Sequence, residues 1–332
     1  MSFVRTFNGD MKPEEMGFTL AHEHLVCRPP HWIWKKEEDL ILDDPEKTRL
    51  DVEDYKKAGG KTIVDATAID YGRDVEAVAD IAQKTGITII GTAGFNKSFL
   101  WDAPLDKRLS SLIDGYSDFR TWIQDTPVEK LTDFVADEIE NGLEGTSYKA
   151  GQVKFGTGYN MISPLEVKTI EVACAVHFKT GAPIHAHTEA GTMALKQIDI
   201  LKSFGADPEN LSLGHMDRNL DLWYHRKIAE TGAFLSFDGI GKIKYHPESV
   251  LIEHIITLVK AGFQKQILIS GDTARKSYYK HYKYGLGLDY SITGWIPQFK
   301  DMAAGAGLDA ESVLEEFFVH NPARCMTFKI KD

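Results

Sequence analysis

Eight short apolar runs, each followed by an amphipathic stretch, constrain the fold of this chain more than any other feature. The runs lie at about residues 18–25, 61–67, 88–94, 151–156, 183–189, 211–217, 233–239 and 267–273, and their length and β-branched and aromatic content suit buried strands. Apolar residues recur at helical spacing over 46–58, 74–85, 127–141, 164–180, 191–204, 220–231 and 247–262, several of these stretches closed by glycine before the next strand. Strands that alternate with helices pair in parallel. Eight such units predict an α/β chain folded as a (β/α)8 TIM barrel: one domain over residues 1–332 with a short turn-rich extension at 1–17. The long stretches 95–126 and 274–305, rich in Trp, Tyr and Phe, read as loops or lids, with Trp101, Tyr282, Tyr284 and Trp295 expected to cap a ligand or meet another subunit.

Composition narrows the partners. A formal charge of −11 argues against a nucleic-acid or acidic-membrane surface, which would need a broad excess of Lys and Arg. No run reaches the ~20 apolar residues of a membrane span, and Met1-Ser2-Phe3-Val4-Arg5 has no apolar signal region, so the expected location is the cytoplasm. The three cysteines, Cys27, Cys174 and Cys325, are widely spaced and form no Cys-x-x-Cys pair, which suggests neither a disulfide framework nor a thiolate zinc site. The partner expected is a small anionic molecule, with a homodimer as the one assembly kept in view.

A barrel of this kind carries its site at the C-terminal strand ends, and the polar residues gather there. The first run, Phe18-Thr19-Leu20-Ala21-His22-Glu23-His24-Leu25, ends in two histidines one residue apart; in a strand they share a face. Lys154, His187, His215 and Asp272 close later runs. Six such residues suit two divalent ions such as zinc with a water-derived hydroxide between them. Lys154 fits a cation site only if its desolvated amine is carboxylated by carbon dioxide, becoming N6-carboxylysine. His185 shares the face of His187 one layer deeper and reads as a packed interior residue. His177 and His225 lie in helical patterns and read as surface residues, and Asp65 reads as a carboxylate that orients a neighbour or is satisfied in the core.

These residues stand in recognisable company. The stretches Gly17-Phe18-Thr19-Leu20-Ala21-His22-Glu23-His24-Leu25, Val153-Lys154, His187-Thr188, Gly214-His215-Met216-Asp217, Gly271-Asp272 and Asn321-Pro322-Ala323-Arg324 make the chain resemble, over essentially its full length, the phosphotriesterase family of the amidohydrolase superfamily, including its lactonase members. The resemblance implies that His22, His24 and Asp272 hold one metal and His187 and His215 the other, with carboxylated Lys154 and hydroxide bridging them. Zinc is expected first, with manganese or cobalt as alternatives. Asp272 would be both ligand and proton shuttle.

Substrate choice lives in the loops. Lys242 and Lys244 follow the seventh run and Arg275 and Tyr278 the eighth, where barrels of this class often bind phosphate. In an acidic chain they read as an anion pocket. A lactone carrying a phosphate, of the pentono-1,4-lactone phosphate type, fits best. The alternatives are a lactonase for unphosphorylated lipophilic lactones, an organophosphate triester hydrolase and, in another class, a non-catalytic sugar-phosphate binding protein.

Overall fold

The computed structural model describes residues 2–29 and 36–329. A small hairpin, β1 (Val4–Thr6) against β2 (Gly9–Met11), precedes an eight-stranded parallel barrel. The barrel is built from β3 (Thr19–Glu23), β4 (Thr62–Asp65), β5 (Thr88–Gly94), β6 (Ala150–Thr157), β7 (Ile184–Thr188), β8 (Leu211–Leu213), β9 (Phe234–Phe237) and β10 (Ile267–Ile269), paired in sequence order. The last strand returns to the first: Asp272 N donates to His22 O at 3.0 Å, and the Ser270 hydroxyl accepts from His22 N at 3.0 Å. This is a (β/α)8 TIM barrel. Several strands stop short of the apolar runs because the C-terminal residues of each run leave the ladder to face the central cavity. His215 and Asp272 lie two and three residues beyond β8 and β10.

The helices form as their caps dictate. Asp44 accepts from Lys47 N to start Pro45–Ala58, which Gly59 ends at φ 118°; Ser163 and Glu166 form a reciprocal box at the start of Pro164–Thr180. Val75–Thr85, Val128–Glu140, Ala194–Ser203, Leu222–Ala229 and Glu248–Lys260 complete the predicted ring. The main core lies between these helices and the barrel strands, with Ile63, Ile89, Leu213, Leu235 and Ile269 all buried. Among the described residues no helix is long and apolar enough to cross a membrane.

Four expectations change. The extension at 1–17 holds the β1–β2 hairpin, whose three-residue strands are too short to register as a periodic pattern. The stretches 95–126 and 274–305 are largely helical, with Lys107–Leu112, Phe119–Asp125 and Ile296–Gly305 among their elements. Their tryptophans are anchors: Trp101 is buried and donates to Asp70 at 2.6 Å, and Trp295 is buried and stacks on Phe299. Tyr282 is bound through its hydroxyl to the Asp44 carbonyl, which leaves Tyr284 as the exposed member of that group. His177 and His225 are buried. They fall on the inner faces of their helices, one turn from Cys174 and Ile228, and a helical period alone does not say which face carries the histidine. All three cysteines are free and buried.

Candidate active site

Around the C-terminal mouth the barrel gathers His22, His24, Lys154, His187, His215 and Asp272 on a single cavity of about 390 Å³. Lys154 starts lower than the others, in register with His185. Its long stem brings Nζ up to the strand-end level, where it donates to Ala66 O at 2.7 Å. Asp272 Oδ1 stands 3.6 Å from His24 Nε2 and 3.9 Å from His22 Nε2. His215 and Asp272 take φ of 64° and 41°, left-handed backbone that non-glycine residues hold only where the surroundings dictate it.

Each histidine has one ring nitrogen tied to a partner, and that tie decides what the other nitrogen carries. Asp238, immediately beyond β9, accepts from Nδ1 of both His22 and His215 at 2.8 Å. The Thr67 hydroxyl donates to Asp65, so toward His24 Nδ1, 2.7 Å away, it acts as acceptor. Asp65 thus orients His24 through Thr67. Glu189 accepts from His187 Nε2 at 3.0 Å and is itself paired with Lys97. What remains is four lone pairs, on Nε2 of His22 and His24, turned toward Asp272 Oδ1, and on Nε2 of His215 and Nδ1 of His187, turned toward each other in the same cavity.

That arrangement fits divalent cations. His187 Nδ1 and His215 Nε2 face each other at 2.8 Å, two lone pairs that repel unless something positive lies between or beside them. His22 Nε2 is buried and has no hydrogen-bond partner among the described residues. Burial drives His24 and His187 well below the ordinary histidine range, and burial followed by the Arg218 charge takes His215 down to about 4. The imidazoles of His24, His187 and His215 therefore favour the neutral form, the one that binds metal. Burial also pulls Lys154 down to about 8. Asp272 would be pushed up by its own burial, but the Lys242 ammonium and the Arg218 guanidinium hold it well below the usual carboxylate range. His185 stays below the site, bonded to Ser212 at 2.9 Å and set edge-on to His22.

The Asp238 bridge carries a prediction. In Asp238→Asn a single amide oxygen can accept from only one of the two Nδ1 groups, and the amide N–H₂ confronts the other. Metal affinity is expected to fall about 10- to 100-fold, read by chelator competition.

The four residues expected to bind an anion lie on one side of the same mouth. Lys242 is buried, and its Nζ donates to Asp272 Oδ2 and Asp272 O at 2.7 Å each, so in this structure it holds the carboxylate. Lys244 is exposed and outside the cavity lining, with Nζ 5.4 Å from the Tyr278 ring. Arg275 and Tyr278 line the cavity, and Arg275 is paired with Glu37 at 2.8 Å. Sequence reasoning missed Asp238, Thr67, Glu189, Lys97 and Arg218. Arg218 donates to Asp272 Oδ2 at 2.8 Å. Each sits one to five residues beyond a barrel strand, and that position was the available signal.

Similarity to known proteins agrees with this geometry. A family model described as the phosphotriesterase family matches residues 2–326. A phospho-furanose lactonase of Mycoplasmopsis synoviae is 32% identical, covering 99% of this chain and 93% of the relative. Among solved structures, a lactonase from Listeria monocytogenes superimposes with a TM-score of 0.97 at 60% identity, covering 98% of this chain and 99% of that one. The phosphotriesterase homology protein of Escherichia coli, solved with phosphate in its active site, gives 0.82 at 28% identity over 94% of this chain and 99% of that one. With a family match that runs nearly end to end and a barrel mouth lined by histidines, a lysine and an aspartate, the chain belongs to the phosphotriesterase family.

Proposed function

We propose that this metal-dependent hydrolase is a lactonase that opens a phosphorylated sugar lactone of the pentono-1,4-lactone type. The observation that carries the reading is the charge of the cavity. In a chain of net charge −11, Lys36, Lys97, Arg218, Lys242 and Arg275 line it, against Glu37, Glu189 and Asp272 among the described residues. A neutral substrate gains nothing from such a wall. The names of the relatives support the same class: a phospho-furanose lactonase, and a homologue solved with phosphate in its active site.

His22, His24, His187, His215, Asp272 and a carboxylated Lys154 would hold two divalent cations, zinc first and manganese or cobalt as alternatives. Carboxylation joins the Lys154 amine to carbon dioxide with loss of one proton, and the lowered basicity of that buried amine favours it. When bound, the cations polarise the lactone carbonyl and bring the acidity of a water into the neutral range. Water oxygen bonds to the carbonyl carbon, the ring C–O bond breaks, and Asp272 carries the proton from the water to the departing ring oxygen. Lys242 and Arg218 keep Asp272 ionised. Lys244, Arg275 and Tyr278 hold the phosphate, with Arg275 exchanging Glu37 for the better dianionic partner.

The test is a substrate panel. Lys244→Ala and Arg275→Ala are each expected to raise KM for a phosphorylated lactone about ten- to a hundred-fold, the worth of a charge-assisted hydrogen bond, and to leave KM for its unphosphorylated counterpart unchanged. Equal KM effects on both substrates would sink the anion pocket. One observation favours lipophilic lactones instead: a neighbouring cavity of about 500 Å³ beyond Lys242 and Tyr278, lined by Leu20, Ile240, Leu286 and Leu288. Under that reading, turnover would rise with the length of an acyl tail.

A further inference from the structure

The residue between the two histidines of the first barrel strand has a job of its own. Alternation along β3 sends Glu23 away from the cavity and into the seam between β3 and β10, where it is fully buried. Glu23 Oε1 accepts from Gly271 N at 2.7 Å and from the Ser270 hydroxyl at 2.8 Å, and Oε2 accepts from Thr273 N at 2.8 Å. One carboxylate thus ties residues 270, 271 and 273. The residue it brackets is Asp272, whose own N–H donates to His22 O at 3.0 Å and whose φ is 41°. At Gly271 a Cβ would stand 3.0 Å from Glu23 Oε1 and 2.8 Å from Thr273 Oγ1. Glycine there lets the carboxylate reach the backbone.

We infer that Glu23 is a positioning residue for the hydrolytic reaction, clamping the Ser270–Thr273 turn so that Asp272 projects Oδ1 toward His22 and His24 and Oδ2 toward Arg218 and Lys242. The inference rests on the reading of Asp272 as metal ligand and proton acceptor. The geometry explains why a carboxylate is needed. Its two oxygens face main-chain N–H groups on opposite sides of Asp272, so an amide in the same place can satisfy one side only and must point its own N–H₂ at the other. Without the clamp the N–H groups of Gly271 and Thr273 lose their acceptor, and the turn keeps its bonds to His22 O through Asp272 N and the Ser270 hydroxyl. The strained backbone of Asp272 would then relax and carry its carboxylate off the histidine nitrogens.

The test uses the full chain loaded with zinc. Glu23→Gln is expected to lower kcat about 10- to 100-fold with KM for the lactone within about two-fold of wild type, and to lower the chelator concentration that strips half the metal by a similar factor. A purely structural role for Glu23 gives a different result: a lower Tm with wild-type kcat and wild-type chelator resistance, which overturns the inference. If Glu23→Gln does not fold, Glu23→Asp decides, since it keeps the charge and the Ser270 hydroxyl but draws the carboxylate back from the Gly271 and Thr273 N–H groups. A fall in kcat of roughly three- to ten-fold at unchanged KM, the worth of one hydrogen bond, supports the clamp, and wild-type kcat contradicts it. Asp272→Asn run alongside separates the two readings. If it keeps wild-type kcat, the proposed chemistry itself is wrong; if it loses activity while Glu23→Gln keeps it, only the clamp is wrong.

Discussion

Asp272→Asn is expected to lower kcat about 10²- to 10⁴-fold, the usual worth of a positioned proton acceptor, while leaving the fold intact. Both halves follow from the contacts. The amide oxygen of the substituted side chain can face Arg218 and Lys242, which now donate to Oδ2 at 2.8 and 2.7 Å. Its N–H₂ then faces the Nε2 lone pairs of His24 and His22, at 3.6 and 3.9 Å from the present Oδ1. The variant therefore loses no buried partner. What it loses is a negative charge and a site that can take a proton. Steady-state kinetics beside a thermal melt checks this, with a cooperative melt retained at a Tm lowered by the loss of the charge that Lys242 and Arg218 face, and kcat collapsed. A variant that hydrolyses lactone at the wild-type rate would remove Asp272 from the chemistry.

The second large effect is at Lys154. Lys154→Met keeps the stem and removes the amine, so no carboxylate can form. Metal affinity is expected to fall by at least the 10- to 100-fold typical of lost supporting contacts, and activity with it. Stability should move the other way or not at all, because the metal-free protein buries an amine whose one hydrogen-bond acceptor among the described residues is Ala66 O, and replacing such a group by an apolar one of similar shape is often neutral or stabilising. A metal-free melt and metal analysis of the same preparation read both at once. Chelation of the wild type is expected to abolish activity, and reloading with zinc to restore it faster with bicarbonate than in buffer stripped of carbon dioxide. Full activity in a metal-free preparation would contradict the account.

How much of this was legible in the sequence depends on what each residue answers to. The barrel strands were legible because burial on both faces makes them continuous apolar runs, and the residues that end them, His22, His24, His187, His215 and Asp272, inherit their position from that rule. The residues that hold them were not. Asp238 and Glu189 look like ordinary polar residues past a strand, and only the closing of the barrel brings Asp238 between His22 and His215, 216 and 23 residues away in the chain. Lys242 shows the converse. Its charge was readable, but its partner, Asp272, lies across a different loop, so a cation expected to meet substrate is found on the proton acceptor. His225 was misplaced for a third reason: it is buried against His254, with a 2.7 Å bond between the rings, and a residue that is polar in composition can still occupy the inner face of a helix when a partner waits there.

The central claim is that six residues from five strands form a cage for two divalent cations bridged by a modified Lys154. A crystal structure of the protein reloaded with zinc and bicarbonate, with diffraction recorded at the zinc absorption edge, tests it most directly. Two anomalous peaks are expected among His22, His24, His187, His215 and Asp272, with added density continuous from Lys154 Nζ. A bare lysine with no paired peaks after full reloading would contradict it.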